Sequence, residues 1–179
     1  MKLKGGGLHN DSAFSQRKLT GKELPLFMHS IRQKHPLDHV TFLCIGTDRS
    51  TGDSLGPIVG TRLEELGFPS VVGSLQHPCD ADNLVFRMSA IPKDHVILAI
   101  DACLGVPASV GSYIVSGKPL IPAQSVGGGL PEAGHYSIAG VVNVNGPKPY
   151  WTLGMTSLYR VMQMADEIVR AVEEGFQRQ

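Results

Sequence analysis

Two continuous apolar runs, His39-Val-Thr-Phe-Leu-Cys-Ile45 and His95-Val-Ile-Leu-Ala-Ile-Asp101, constrain the fold of this chain more than any other feature. Neither alternates apolar with polar residues, so neither suits a sheet with one wet face. Both suit strands buried on two faces, the setting of a parallel sheet. Between them the spacing predicts a helix from Pro57 to about Leu66, closed by Gly67. A strand over Ser70 to Leu75 and a helix over Ala81 to Ile91, closed by Pro92, follow. The order β-α-β-α-β implies an α/β fold: a three-layer sandwich, with a mostly parallel sheet, right-handed crossovers and helices on both faces.

Beyond the second run the rhythm changes. Strands are expected at Gly111 to Ser116 and Tyr136 to Val144, with no helical pattern between them, which predicts an antiparallel edge. Leu24, Phe27, Met28 and Ile31 mark a first helix over Gly21 to Gln33. Leu158, Val161, Ala165, Ile168 and Val172 mark a last one over Thr156 to Phe176. Tyr150 and Trp151, just before it, read as an aromatic anchor, in the core rather than at a ligand site. Residues 1–20, rich in Gly, Lys, Asn and Ser, read as a flexible arm, and residues 21–179 as one domain.

With 16 basic and 16 acidic residues the chain is formally neutral, so electrostatics suggests neither nucleic acid nor an anionic membrane as a partner. The first residues lack the apolar stretch of a signal peptide, and the expected location is the cytosol. Cys44, Cys79 and Cys103 are odd in number and show no CxxC spacing, so all three are expected to be reduced thiols. A homo-oligomer is left open.

Each apolar run ends in a loop or tip that carries an aspartate: Asp53 after the first, Asp101 at the end of the second. Ligands of open α/β sheets bind beyond the carboxyl ends of the strands, so the two carboxylates are expected to meet at one sheet edge and share a proton. The plainer alternatives are a helix cap for Asp53 and a strand end for Asp101. Gly52-Asp-Ser-Leu55 matches the block that names a family of serine esterases. Seven residues, Gly46 to Gly52, separate its Asp53 from the strand, however, and no histidine follows His135, which argues against a serine hydrolase. Gly46 and Gly52 lack the GK[ST] or GxGxxG context of a nucleotide loop.

Further candidates have two readings each. Cys103 is either a nucleophile activated by His77 or His135, or an apolar filler. His77, His135 and the aspartates lack the regular spacing of a metal site, and no metal or other cofactor is expected. Asp48 is expected to stabilise its own turn. The segment from Pro119 to His135, with Gly127, Gly128 and Gly129, is either a substrate-binding flap or a plain connection, and His135 belongs to it as a substrate-binding candidate.

The pattern Ile45-Gly46, six residues, Asp53-x-Leu55-Gly56-Pro57, then Ile100-Asp101-Ala102-Cys103-Leu104, resembles the germination protease of bacterial spores. Gly46-Thr-Asp-Arg-Ser-Thr-Gly-Asp-Ser-Leu-Gly-Pro57 and Tyr136-Ser-Ile-Ala-Gly-Val-Val-Asn-Val144 are similar to the YyaC-type sporulation proteins within that superfamily. The resemblance covers about Val40 to Arg170. It implies a hydrogenase-maturation-protease-like fold and, from the germination protease, atypical aspartic peptidase action on small acid-soluble spore proteins in the forespore, with Asp53 and Asp101 as the essential pair. The related hydrogenase maturation peptidases recognise nickel in their substrate, and their first acidic site follows Gly-Asn where this chain has Gly46-Thr47. A non-catalytic sporulation binding protein and a metal-dependent hydrolase are the alternative functions.

Overall fold

The computed structural model describes residues 14–123 and 128–176 of the chain. A six-stranded sheet has the order β1-β5-β6-β4-β2-β3. The strands are β1 (Arg17–Leu19), β2 (Val40–Cys44), β3 (Val71–Val72), β4 (Val96–Gly105), β5 (Tyr113–Ser116) and β6 (Tyr136–Val144). β3, β2, β4 and β6 run parallel, whereas β5 and β1 extend the sheet antiparallel beyond β6. All five residues of β2 are buried, as its unbroken apolar sequence requires. The helices are α1 (Leu24–Lys34), α2 (Leu55–Glu65), α3 (Leu84–Ser89), α4 (Pro149–Gly154) and α5 (Leu158–Gly175).

Successive residues of the central strands divide the core in two. Phe42, Leu98, Ile100 and Ile138 pack with α1, α2 and α5, while Leu43, Ile45 and Ala99 pack with Leu84 and Ile91 around α3. This division follows from chain direction. The β2-α2-β3 crossover moves outward, the β3-α3-β4 crossover moves back across β2, and right-handed crossovers in opposite directions place their helices on opposite faces. The reversal leaves a crevice between the carboxyl ends of β2 and β4. Among the described residues no helix is long and apolar enough to cross a membrane.

Several boundaries differ from the sequence expectation. Of the flexible arm expected as far as Thr20, residues 1–13 lie outside the described residues, and residues 14–20 are ordered instead. The Phe14 ring packs against Phe27 and Tyr136, its carbonyl accepts from the Gly117 N–H at 2.7 Å, and Arg17–Leu19 pairs with β5. β3 is two residues rather than six, because Gly73 turns the chain at φ +95° and the Leu75 N–H is taken by Thr61 Oγ1. α3 starts at Leu84 rather than Ala81, after a turn in which the Asp80 carbonyl accepts from the N–H groups of Asn83 and Leu84. β4 continues past Asp101 to Gly105 because β6 pairs with it throughout. The last helix starts at Leu158 rather than Thr156, with Ser157 capping α5 by accepting from the Arg160 N–H, and it is preceded by a short unexpected helix, α4, that ends at Gly154.

Gly56 governs how closely α2 approaches β2, since a Cβ there would run into the backbone of Ile45. Gly56→Ala is therefore expected to destabilise the fold by about 2 kcal/mol, the usual scale of overpacking against a part that cannot yield. Urea unfolding measures this, and an unchanged midpoint would contradict the close packing.

Candidate functional site

Asp101 owes its position to the unequal lengths of two paired strands. β2 pairs with β4 from Val40 opposite Val96 to Cys44 opposite Ile100, and the Ile45 N–H donates to the Ile100 carbonyl at 2.8 Å before the chain leaves the sheet. Asp101 is the next residue of β4, flanked on one side by Ala139 of β6 and on the other by the loop that follows β2. Its side chain leaves the sheet on the α3 face, opposite to Ile100, and is 8 % exposed. Oδ1 accepts from the Ala102 N–H at 2.8 Å.

Asp53 comes from that loop. Gly46 starts it at φ +145°, where a Cβ would collide with the Asp53 carbonyl and Pro57, and the Thr47 N–H donates to the Asp53 carbonyl at 3.1 Å. The loop thus folds back on itself, and Asp53 lies in a one-turn 3-10 helix, Gly52–Ser54, that runs directly into α2. Ser54 Oγ secures this turn by donating to the Thr51 carbonyl at 2.6 Å.

Both aspartates line one cleft of about 660 Å³ at the crevice between β2 and β4. Burial pushes the Asp101 carboxyl up to about 7. The Ala102 N–H opposes that rise, and the charge of Asp53 adds to it. Burial also raises Asp53, opposed by the Ser50 hydroxyl. The Ser50 oxygen is itself buried and makes no complete hydrogen bond among the described residues. The two carboxyls therefore differ in surroundings while sensing each other's charge. Asp101, at the dry end, holds a proton near neutrality more readily than its partner.

The remaining candidates separate. Gly128 and Gly129 line the cleft, at φ +67° and +94°, while Gly127 lies outside the described residues. The base of their segment is pinned, because Leu120 and Ala133 exchange backbone hydrogen bonds of 3.0 and 2.8 Å and Ala133 is buried. His135 is not part of the cleft. It sits near the opposite end of β4, where its N–H donates to the Ile97 carbonyl and its Nδ1 accepts from the Ile97 N–H. His77 is exposed, and neither histidine lines the cleft that holds Cys103. Burial, with the Asp101 charge next, pushes the Cys103 thiol up to about 12, which suits a filler rather than a nucleophile. No group of three or more metal-ligating side chains assembles among the described residues. Asp48 is exposed beside a separate groove with Arg62, Leu158 and Met162, so the turn it was expected to support is held instead by the Thr47 and Ser54 contacts.

Other residues entered the site without a sequence signal. Arg49 reaches from the loop to Asp80 at 3.4 Å, and both line the cleft with Asp82. Ala123, held at φ +56°, turns its N–H toward Asp101 from the opposite wall. Tyr150 and Trp151, expected in the core, are 72 % and 68 % exposed on α4, and Tyr150 forms part of the rim. The adjacent Leu153 supplies the buried side of that short helix instead.

The chain is thus an α/β protein with a doubly wound, mostly parallel sheet and an acidic pair in its crevice. The crystal structure of the [NiFe] hydrogenase maturation protease HycI from Thermococcus kodakarensis KOD1 shares this fold at a TM-score of 0.58. That likeness covers 84 % of this chain and 99 % of the other, at 18 % identity. By sequence the chain belongs to the family described as protein of unknown function DUF1256, which matches residues 13–171. It is also similar to the uncharacterized protein YyaC of Bacillus subtilis (strain 168), at 38 % identity over 169 residues, or 92 % of this chain and 80 % of that relative.

The raised Asp101 carboxyl makes stability depend on pH with a definite sign. Its ordinary value of 3.8 rises to about 7 in the folded protein, so the native state binds the extra proton between these limits. Stability should be fullest below the lower value and fall as pH rises through the upper one, by about 1–3 kcal/mol. Denaturant titrations at pH 5 and pH 8 should show this fall in the unmutated protein and a flatter dependence in Asp101→Asn. An equal slope in both would show that Asp101 does not retain its proton.

Proposed function

We propose that the protein is a sporulation-associated peptidase of the aspartate-pair type, resembling the germination protease and acting on spore proteins in the forespore cytoplasm. The observation that carries the reading is the asymmetric pair in one cleft: Asp101 buried and raised to about 7, Asp53 less deeply held at the loop. Its protease-like fold and the similarity of the chain to YyaC are consistent with that reading.

Roles follow from the environments. Asp53, ionised, takes a proton from a water that attacks the peptide carbonyl. Asp101, protonated, gives its proton to the carbonyl oxygen in the same step; when the tetrahedral diol collapses, Asp53 passes the water-derived proton to the leaving amine and Asp101 regains a proton from the diol hydroxyl. Two like charges at one site do not ionise together at low cost, so the pair keeps one proton through the cycle and titrates as a unit. Gly128 and Gly129, which carry no side chains into the cleft, leave room for a polypeptide backbone alongside the acids.

Purified protein incubated with small acid-soluble spore proteins and followed by mass spectrometry provides the test. Cleavage is expected, with a loss of about a hundredfold or more in Asp53→Asn and in Asp101→Asn, and no loss with a chelator. Absence of cleavage by the unmutated protein favours the non-catalytic binding role, and chelator sensitivity restored by one added metal ion favours the metal-dependent one.

A further inference from the structure

Six of the fourteen large apolar side chains exposed among the described residues fall within one short stretch of chain, from 150 to 162: Tyr150, Trp151, Met155, Leu158, Tyr159 and Met162. Single exposed apolar residues are ordinary, but this concentration of exposed aromatic and methionine side chains in one short stretch of chain marks a place where another molecule sits. The stretch also joins two concavities. Tyr150 belongs to the rim of the aspartate cleft, whereas Leu158 and Met162, one helical turn apart on α5, line the separate groove with Ile58 and Leu75.

Charge indicates what kind of molecule fits. The chain as a whole is neutral, yet its cleft is lined, besides the protonated Asp101, by Asp53, Asp80 and Asp82 against Arg49 alone. The groove at the other end has Asp48 and Glu65 against Arg62, and the Arg62 guanidinium is already paired with Asp166. An apolar track with acidic excess at both ends complements a polypeptide segment that presents apolar anchors flanked by Lys or Arg.

We infer that the α4–α5 face from Tyr150 to Met162 is a docking track for a basic, amphipathic segment of the protein substrate, which it holds while another part of the same chain enters the aspartate cleft. This rests on the peptidase reading for the identity of the occupant. Trp151 and Tyr159 are the anchors, because large aromatic side chains carry most of the energy of such contacts.

Trp151 is the only tryptophan of the chain, so its emission reports on the track directly. Titration with a synthetic amphipathic peptide of Leu and Lys should shift Trp151 emission to the blue. Tyr159→Ala should weaken that binding roughly tenfold, equivalent to about 1.4 kcal/mol, and a peptide with Glu in place of Lys should bind more weakly still. Asp53→Asn should leave the Leu-Lys shift in place, so docking can succeed even where no cleavage is found. With spore protein as substrate, Trp151→Ala and Tyr159→Ala should raise KM and leave kcat nearly unchanged, while a short peptide spanning the cleaved bond should be unaffected. Equal binding of the Lys and Glu peptides, or no emission shift at all, would overturn the track even if cleavage occurs. So would sedimentation showing that Trp151 is covered in a dimer of the chain.

Discussion

The parallel pairing of β2 with β4, from Val40 opposite Val96 to Cys44 opposite Ile100, determines where one strand stops while its neighbour continues. Pairing with β6 on the other side keeps β4 extended beyond that point, so the residue after Ile100 remains backbone-bonded while its β2 flank opens. An acid at that step is held rigidly by a strand and yet faces a space that the sheet does not fill. The loop carrying Asp53 occupies the flank because Gly46 and Gly56 let it and the start of α2 come within backbone distance of the end of β2. A longer β2 would fill the flank, and a side chain at either glycine would push the loop and the start of α2 away from it.

Burying a carboxyl without a full set of donors opposes folding, and the protein tolerates it at one place. The Ala102 N–H compensates Asp101 only in part, and burial remains the largest influence on it. The core must offset this cost, and it does so with strands whose side chains are buried on both faces, each large one contributing about 1.5–3 kcal/mol. A local arrangement unfavourable for stability beside an otherwise self-consistent fold is the usual physical mark of a functional site.

How much of this was legible depends on how local each signal is. β2, the core of β4, α2 and the full length of β6 follow from short-range patterns: continuous apolar runs, Pro57 near a helix start and Gly67 after its end. The convergence of Asp53 and Asp101 was readable because strand tips in an α/β sheet point to one edge. β3 and α3 came out shorter than their patterns suggest, since Gly73 is fitted against the backbone of Cys44, distant in sequence, and the turn at Asp80 with Asn83 and Leu84 delays the start of α3. His135 misled because chain proximity to the glycine segment gave no information on strand direction. By the time the chain reaches His135 it has returned to the start of β4. Tyr150 and Trp151 misled differently, because composition alone assigns aromatics to a core and cannot distinguish a short helix that buries only Leu153.

Beyond β6 lies the least protected part of the sheet. β5 has four residues, and among the described residues its outer edge is covered only by the three residues of β1, with Phe14 fastening the start of that strand through its ring and its carbonyl. Proteolysis that removed the chain through Leu19 would leave the core helices in place but strip β5 of its partner, exposing a row of unpaired N–H and C=O groups. The sheet would then be able to recruit an extended segment from another molecule. Trimming at the amino terminus thus leads toward strand exchange and self-association, well away from the acidic crevice.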